Sequence, residues 1–224
     1  MSQHLLTLEG VHTHIGAYHI LHGVDLQVPR GQLTMLLGRN GAGKTTTLRT
    51  IMGLWQASQG RISFNGQDIT KKHTPQIADL GIAYVPENMG IFADLTVKEN
   101  MVLAARQAKT AAQIDQARLQ WIFQLFPAVE KFWNHPAGKL SGGQKQMLAV
   151  SRAIVEPRQL LLIDEPTTGM DAQSRAAFWE AVTGLRARGR TILLTTHYLE
   201  EAEKTADRVV IMNAGRILAD DTPE

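Results

Sequence analysis

The run Gly38-Arg-Asn-Gly-Ala-Gly-Lys44-Thr45 carries the most specific chemistry in this sequence. It fits G-x-x-x-x-G-K-[ST], whose glycines let the backbone wrap a triphosphate with its N–H groups turned inward. In such a loop the lysine reaches the β- and γ-phosphates and the hydroxyl that follows can ligate Mg²⁺, parts that fall here to Lys44 and Thr45. The loop joins the apolar run Leu33–Leu37 to a segment of helical composition, Thr45–Gly53, so a helix N-terminus adds positive potential to the anion site. The pattern arises by chance in roughly one chain of this size per hundred, and the flanking strand and helix lower that figure. Lys44 is expected on a solvent-facing loop.

Leu160-Leu-Leu-Ile-Asp164 is an apolar strand that ends in a carboxylate, with Glu165 next. Asp164 at the strand tip could hold Mg²⁺ through water, and Glu165 could polarise an attacking water as a general base. Taken alone, Asp-Glu after a strand is more often a solvated loop; with Lys44 in the same chain it reads as the second half of a phosphate site.

Those residues need elements to hold them. Leu5–Glu9 and Val24–Val28 alternate as strands, Leu33–Leu37 is continuously apolar as in a strand covered on both faces, and Arg61–Phe64 and Ile82–Val85 are further strands. From about residue 87 the character turns helical. Thr96–Gln107 opens on a capping pattern (Thr96, then Glu99), and Gln113–Phe126 places Ile114, Trp121, Ile122, Leu125 and Phe126 on one face before Pro127 stops it. Another helix follows Ser141 and ends near Glu156–Pro157. Leu160–Ile163 and Thr191–Thr195, separated by the helical Ala172–Arg188, return to strand, the sign of a parallel sheet with crossover helices. The expected fold is α/β, a single domain over 1–224. Its core spans about 1–86 and 158–224 and a helical insertion spans about 87–157.

Lys and Arg total 23 against 21 Asp and Glu, a net charge of +2, too balanced to indicate nucleic acid as a partner. There is no cysteine, hence no disulfide, thiolate metal site or thiol nucleophile, in keeping with a reducing compartment. The first residues show no secretory signal, and no apolar run reaches the roughly 18 residues a bilayer span needs. The ending at Asp221-Thr-Pro-Glu224 is abrupt, as if a short tail were absent. His4, His12, His14, His19 and His22 crowd the N-terminal region. A metal site there is the weaker expectation, because no ordered zinc spacing accompanies them.

A phosphate loop alone leaves many nucleotide enzymes open. Leu140-Ser-Gly-Gly-Gln144 narrows the choice, since five specified residues match by chance in well under one chain in a thousand. Ser141 can cap a helix and Gly142 and Gly143 can bare backbone N–H groups, which makes a second anion site. Phosphate loop, then this signature, then the Asp164 strand: in that order the chain resembles the ATP-binding cassette (ABC) family along essentially its whole length. The resemblance implies a P-loop NTPase core with a mixed sheet, an N-terminal antiparallel β region and an inserted helical subdomain. It implies ATP and Mg²⁺ as ligands, and ATP hydrolysis that energises solute transport by separate transmembrane permease subunits. It further implies a cytoplasmic protein, peripheral on the inner face of the cell membrane.

Carried over position by position, the resemblance makes Gly38, Arg39, Asn40, Gly41, Ala42, Gly43, Lys44, Thr45 and Thr46 nucleotide-binding, Thr45 and Asp164 metal-holding, and Glu165 catalytic. His197, after the Thr191–Thr195 strand, takes the place of the switch histidine that contacts the γ-phosphate. Leu140, Ser141, Gly142, Gly143 and Gln144 would close on the triphosphate held by a second ABC ATPase subunit, identical or not, in a head-to-tail dimer. Asp171 matches the loop that crosses that interface. Two positions depart from the family pattern. Where a glutamine usually touches metal and water, Val85-Pro-Glu87 offers Glu87, with both catalytic and metal roles implied. The aromatic that stacks on adenine usually precedes a glycine at the place of Ile15; Tyr18 stands three residues on, and both a stacking and a core role are open to it.

Residues from Val24 to Arg106 resemble branched-chain amino-acid importer ATPases, whereas the segments from Glu165 to Arg175 and from Thr195 to Ile217 resemble exporter-type ones. A recombined or engineered chain and an under-sampled lineage both fit a change near Pro166. The alternative function is a non-transport ABC ATPase acting mechanically on a protein partner. Chromosome and repair types are disfavoured by the lack of any heptad run. The loop Glu87–Leu95 holds Met89, Ile91 and Phe92, an apolar patch suited either to packing between lobes or to the short helix that, in the family, a transmembrane partner inserts.

Overall fold

The structure, a computed structural model, describes residues 3–223. Met1, Ser2 and Glu224, which bear on the expectations for the two chain ends, lie outside the described residues. The elements begin with β1 (His4–Ile15), β2 (Tyr18–Pro29), β3 (Leu33–Leu37), α1 (Lys44–Ile51), β4 (Ala57–Phe64), β5 (Gln67–Asp68), α2 (Thr74–Asp79) and β6 (Ile82–Val85). There follow α3 (Val97–Ala104), α4 (Gln116–Leu125), α5 (Pro127–Lys131) and α6 (Gly142–Ile154). The chain closes with β7 (Leu160–Asp164), α7 (Ala172–Ala187), β8 (Thr191–Thr196), α8 (Leu199–Thr205), β9 (Arg208–Asn213) and β10 (Arg216–Asp221).

Two compact units result. The first comprises Met1–Tyr84, Gln159–Glu165 and Arg186–Glu224. It holds an antiparallel sheet in the order β2-β1-β4-β5 and a mixed sheet in the order β10-β9-β3-β8-β7-β6. Strands β3, β7 and β8 are buried along their whole length, which is why their sequences are unbroken apolar runs. Leu6, Leu8, Leu36, Leu48, Leu162 and Leu193 meet in one core that both sheets share. The parallel register pairs Leu37 with Thr196 and Asp164 with Thr195, so β3, β7 and β8 end level with one another. The loops that leave these strand ends are therefore delivered to one edge, the usual place for ligands in such sheets. Strands β9 and β10 are an addition to the elements the sequence pattern predicts. Their exposure is mixed, and the turn between them has Ala214 and Gly215 at φ 45° and 72°, the two-residue hairpin geometry.

The second unit comprises Val85–Arg158 and Pro166–Leu185. Residues 166–185 thus join the helices, whereas the sequence pattern assigns them to the core. Thr96 caps α3 as expected: its hydroxyl accepts from Glu99 N at 3.1 Å while the Glu99 carboxylate accepts from Thr96 N at 2.7 Å. Ile122 and Phe126 are buried on the face that the helical period requires, with Leu119 and Phe123 beside them, and Trp121 and Leu125 are half-buried. Helix α4 begins only at Gln116, so Ile114, also buried, lies in extended backbone ahead of it. Pro127 does end α4, and it also opens α5, since proline suits the first position of a helix.

Removing the Thr96 hydroxyl leaves the Glu99 N–H without its cap. Thr96→Ala should lower unfolding free energy by about 1 kcal/mol in chemical denaturation. The Thr96 backbone N–H, and after it the Thr96 hydroxyl, which donates to Glu99 Oε2 at 2.7 Å, hold the Glu99 carboxyl below its usual range. The hydroxyl's share, the part the variant loses, is complete at neutral pH and fades as pH falls through the carboxylate range, so the difference between parent and variant should shrink on acidification.

Candidate functional site

In the first unit the phosphate loop leaves β3 and enters α1 through Gly43, which takes φ 107° at the helix N-cap. Glycine at position 38 has a packing cause: a Cβ there would lie 2.4 Å from the Met212 carbonyl oxygen. The loop is braced by Gly215 N, which donates to Ala42 O at 2.8 Å, and by Gly38 N, which donates to Thr196 O at 3.3 Å. Arg39 and Asn40 are exposed and Thr45 and Thr46 half-buried.

Lys44 is not solvent-facing; it is 5 % exposed. Its ammonium folds back over the loop, donating to Gly38 O at 2.6 Å and Arg39 O at 3.2 Å, and lies 3.0 Å from a Glu165 carboxylate oxygen. The other Glu165 oxygen is 2.7 Å from His197 Nδ1. Glu165, 9 % exposed, has φ 45°, a left-handed conformation uncommon for a residue with a side chain. Asp164 is fully buried, and its Oδ1 accepts from Thr45 Oγ1 at 3.0 Å and from Thr195 Oγ1 at 2.6 Å. Tyr84 donates to Oδ2 at 3.4 Å, and burial first, then the Asp164 charge, pushes its phenol up to about 12. The sequence-predicted Lys44, Thr45, Asp164, Glu165 and His197 are thus brought together. Tyr84 and Thr195 join them unannounced by the sequence, because a hydroxyl within an apolar strand resembles ordinary strand composition.

In the second unit Ser141 caps α6: its hydroxyl accepts from Gln144 N at 3.3 Å, and Gln144 Oε1 accepts from Ser141 N at 3.0 Å. Leu140 is buried, and Ser141 and Gly142 face solvent. A Cβ on Gly143 would lie 2.5 Å from the Ser174 side chain. Ser174 is in turn held by Asp171, whose carboxylate accepts from Ser174 N at 2.9 Å and from its hydroxyl at 2.7 Å. These bonds, the backbone one foremost, keep the Asp171 carboxyl below its usual range. The signature and Asp171 are neighbours within this unit. Glu87 is exposed in the loop after β6. Further along, Asn100 pins Phe92 through both of its backbone groups at 2.9 Å, and the half-exposed Phe92 ring lies 5.3 Å from the Arg152 guanidinium.

Tyr18 opens β2 and is 76 % exposed, so the core role open to it on sequence does not hold. The histidines do gather on the β1–β2 hairpin: His14 stacks on His19 at 4.1 Å with planes 9° apart, and His12 Nδ1 lies 3.0 Å from His19 Nε2. Stacked rings aim their in-plane nitrogens side by side rather than at one point. Accordingly no group of three or more His, Asp or Glu among the described residues could hold a metal ion. His4 sits at the far end of β1.

The sequence model of the ABC transporter family matches residues 21–168. The chain belongs to the ABC transporter family. This ABC ATPase is 36 % identical over 218 residues to the Nod factor export ATP-binding protein I of Burkholderia lata, covering 97 % of this chain and 71 % of that protein. It is 35 % identical over 218 residues to the high-affinity branched-chain amino acid transport ATP-binding protein BraG of Pseudomonas aeruginosa, covering 97 % and 93 %. Both likenesses run along nearly the whole chain, one to a subunit named for export and one to a subunit named for uptake. Among solved structures, cbiO1 from Clostridium perfringens, part of the ABC transporter complex cbiONQ, matches with a TM-score of 0.87 at 25 % identity, over 99 % of this chain and 90 % of that one. The fold of this ABC ATPase is thus the P-loop NTPase fold that its family resemblance implies.

The buried Lys44–Glu165 pair makes a stability prediction for the ABC ATPase. Lys44→Met alone should cost about 3 kcal/mol in chemical denaturation, because it leaves a carboxylate buried without its cation. Lys44→Met with Glu165→Gln should recover a substantial part, and strictly additive losses would contradict the pair.

Proposed function

We propose that this chain is the single nucleotide-binding domain, built from both units, of a transporter whose membrane-spanning subunits are separate polypeptides. The observation that carries this reading is the gathering of Lys44, Thr45, Asp164, Glu165 and His197 at the level ends of three parallel strands. Residues Gly38–Thr46 bind the triphosphate of ATP, and Lys44 exchanges its contact with Glu165 for the γ-phosphate. Thr45 and Asp164 offer oxygen donors 3.0 Å apart, a hard set that fits Mg²⁺ with most of its waters kept. Bound there, Mg²⁺ neutralises phosphate charge. Glu165 accepts a proton from water as the water oxygen bonds to the γ-phosphorus and the bond to the bridging oxygen breaks. His197 holds the Glu165 carboxylate and faces the γ-phosphate. Glu87 contributes from its loop to metal and water, and Tyr18 offers an exposed ring for adenine.

The signature, Leu140 to Gln144, completes the site of a second ABC ATPase subunit, and Asp171 crosses to it. Among the described residues no helix is long and apolar enough to cross a membrane. Attachment to the inner membrane face through permease partners belongs to the same proposal. Of the two transport names among the relatives, branched-chain amino acid uptake is the one put forward, supported by the likeness of residues Val24 to Arg106 to importers of that type and by the relative BraG. The loop around Phe92 receives the permease.

Glu165→Gln should bind Mg·ATP and turn it over at least about a hundredfold more slowly. In gel filtration at tens of micromolar it should run as a dimer with ATP and as a monomer with ADP; a monomer throughout would refute the shared site. Phe92→Ala should leave ATPase of the isolated subunit within about twofold, as expected for a half-exposed side chain, while transport in vesicles reconstituted with the permease falls severalfold. Equal loss in both assays would make Phe92 a packing residue.

A further inference from the structure

Thr195 has no part in the proposed chemistry, yet its hydroxyl touches both carboxylate residues of the site. It lies on β8 directly opposite Asp164 in the parallel register and is fully buried. A threonine hydroxyl has one proton to give and two lone pairs to offer. The proton goes to Asp164 Oδ1 at 2.6 Å, and a lone pair accepts the Glu165 backbone N–H at 2.9 Å.

Those two bonds constrain different things. The first fixes the carboxylate oxygen that Thr45 also contacts, 3.0 Å away, and so sets the spacing of the two oxygen donors. The second fixes the peptide that takes Glu165 into its left-handed backbone conformation, at φ 45°. That conformation is costly for a residue with a Cβ and persists only where surroundings over-determine it. It is also what turns the Glu165 side chain toward Lys44 and His197. A buried N–H left without an acceptor is rare, so the loss of the hydroxyl would release this peptide rather than leave it in place unbonded.

We propose that Thr195 is a positioning residue of the ATPase site, its one hydroxyl setting the Asp164 carboxylate and the Glu165 peptide together. The proposal rests on the assignment of Asp164 and Glu165 to ATP hydrolysis. Valine matches threonine in shape and strand preference, so Thr195→Val removes the hydroxyl and keeps the packing of β8. The variant should hold its circular dichroism spectrum and bind trinitrophenyl-ATP in EDTA within about twofold of the parent. Its kcat should fall at least about tenfold, the scale of a lost hydrogen bond to a charged group, with KM for ATP nearly unchanged. The tightening of trinitrophenyl-ATP binding on adding Mg²⁺ should be reduced by about threefold or more, a change that loss of packing alone would not produce. Thr195→Ser should restore kcat to within about threefold of the parent. Should valine fail to fold, Thr195→Ser and Thr195→Ala differ by the hydroxyl alone, and serine should be about tenfold the faster.

Parent-like kcat and Mg²⁺ response in Thr195→Val, or serine no better than alanine, would overturn the proposal. Asp164→Asn and Glu165→Gln are the controls that separate the two failures. Activity retained in them removes the site assignment itself, whereas their inactivation beside an unaffected Thr195→Val removes only the role of Thr195.

Discussion

Asp164 and Glu165 are adjacent in the chain and both withdrawn from water. Two neighbouring carboxylates in such a place lose hydration and repel one another unless each is compensated, and the compensation must come from groups of fixed geometry. Much of the first unit answers that need. Glu165 takes the Lys44 ammonium and the His197 imidazole; Asp164 takes three hydroxyls, from Thr45, Thr195 and Tyr84. These partners come from α1, from β8 and the loop after it, and from β6, and the level ending of the parallel strands lets them arrive at one edge. The phosphate loop lies folded on itself with its lysine turned inward, a compact arrangement that an incoming polyanion would have to open.

Much of this is legible where the chemistry is local in sequence. Eight consecutive residues define the phosphate loop and five define the signature, so neither needs the fold to be recognised. The runs Leu33–Leu37 and Leu160–Asp164 announce buried parallel strands because no charged residue interrupts them before the strand end. The capping pairs Thr96–Glu99 and Ser141–Gln144 work over a single turn and are equally plain. The features that stay hidden depend on partners far apart in the chain. Lys44 looks exposed because its loop is glycine-rich, and its burial comes from folding back on the Gly38 and Arg39 carbonyls together with the arrival of Glu165. Thr195 and Tyr84 carry hydroxyls within otherwise ordinary strands, and nothing near them in sequence marks Asp164 as their acceptor. Strands β9 and β10 are obscured by charged residues that their mixed exposure tolerates.

Family membership fixes the kind of engine, and the relatives named for export and for uptake divide over what it drives. That division has a physical basis. The roles proposed for the residues that gather around Asp164 and Glu165 concern phosphate, metal and water, which are the same whichever solute moves. A cassette of this kind can therefore keep nearly equal likeness to subunits of different transporters, as the two relatives named for export and for uptake illustrate.

The contact between Gly143 and Ser174 joins the start of α6 to the start of α7, since a methyl group on the glycine would stand 2.5 Å from the serine side chain. Descent through such a pair is directional. Position 174 can shrink without disturbing its neighbour, but position 143 can grow only after 174 has already become smaller. A lineage that reached this arrangement is held in it by order of events as much as by energy, and a comparison of descendants would find the two sites changing in one sequence and not the other.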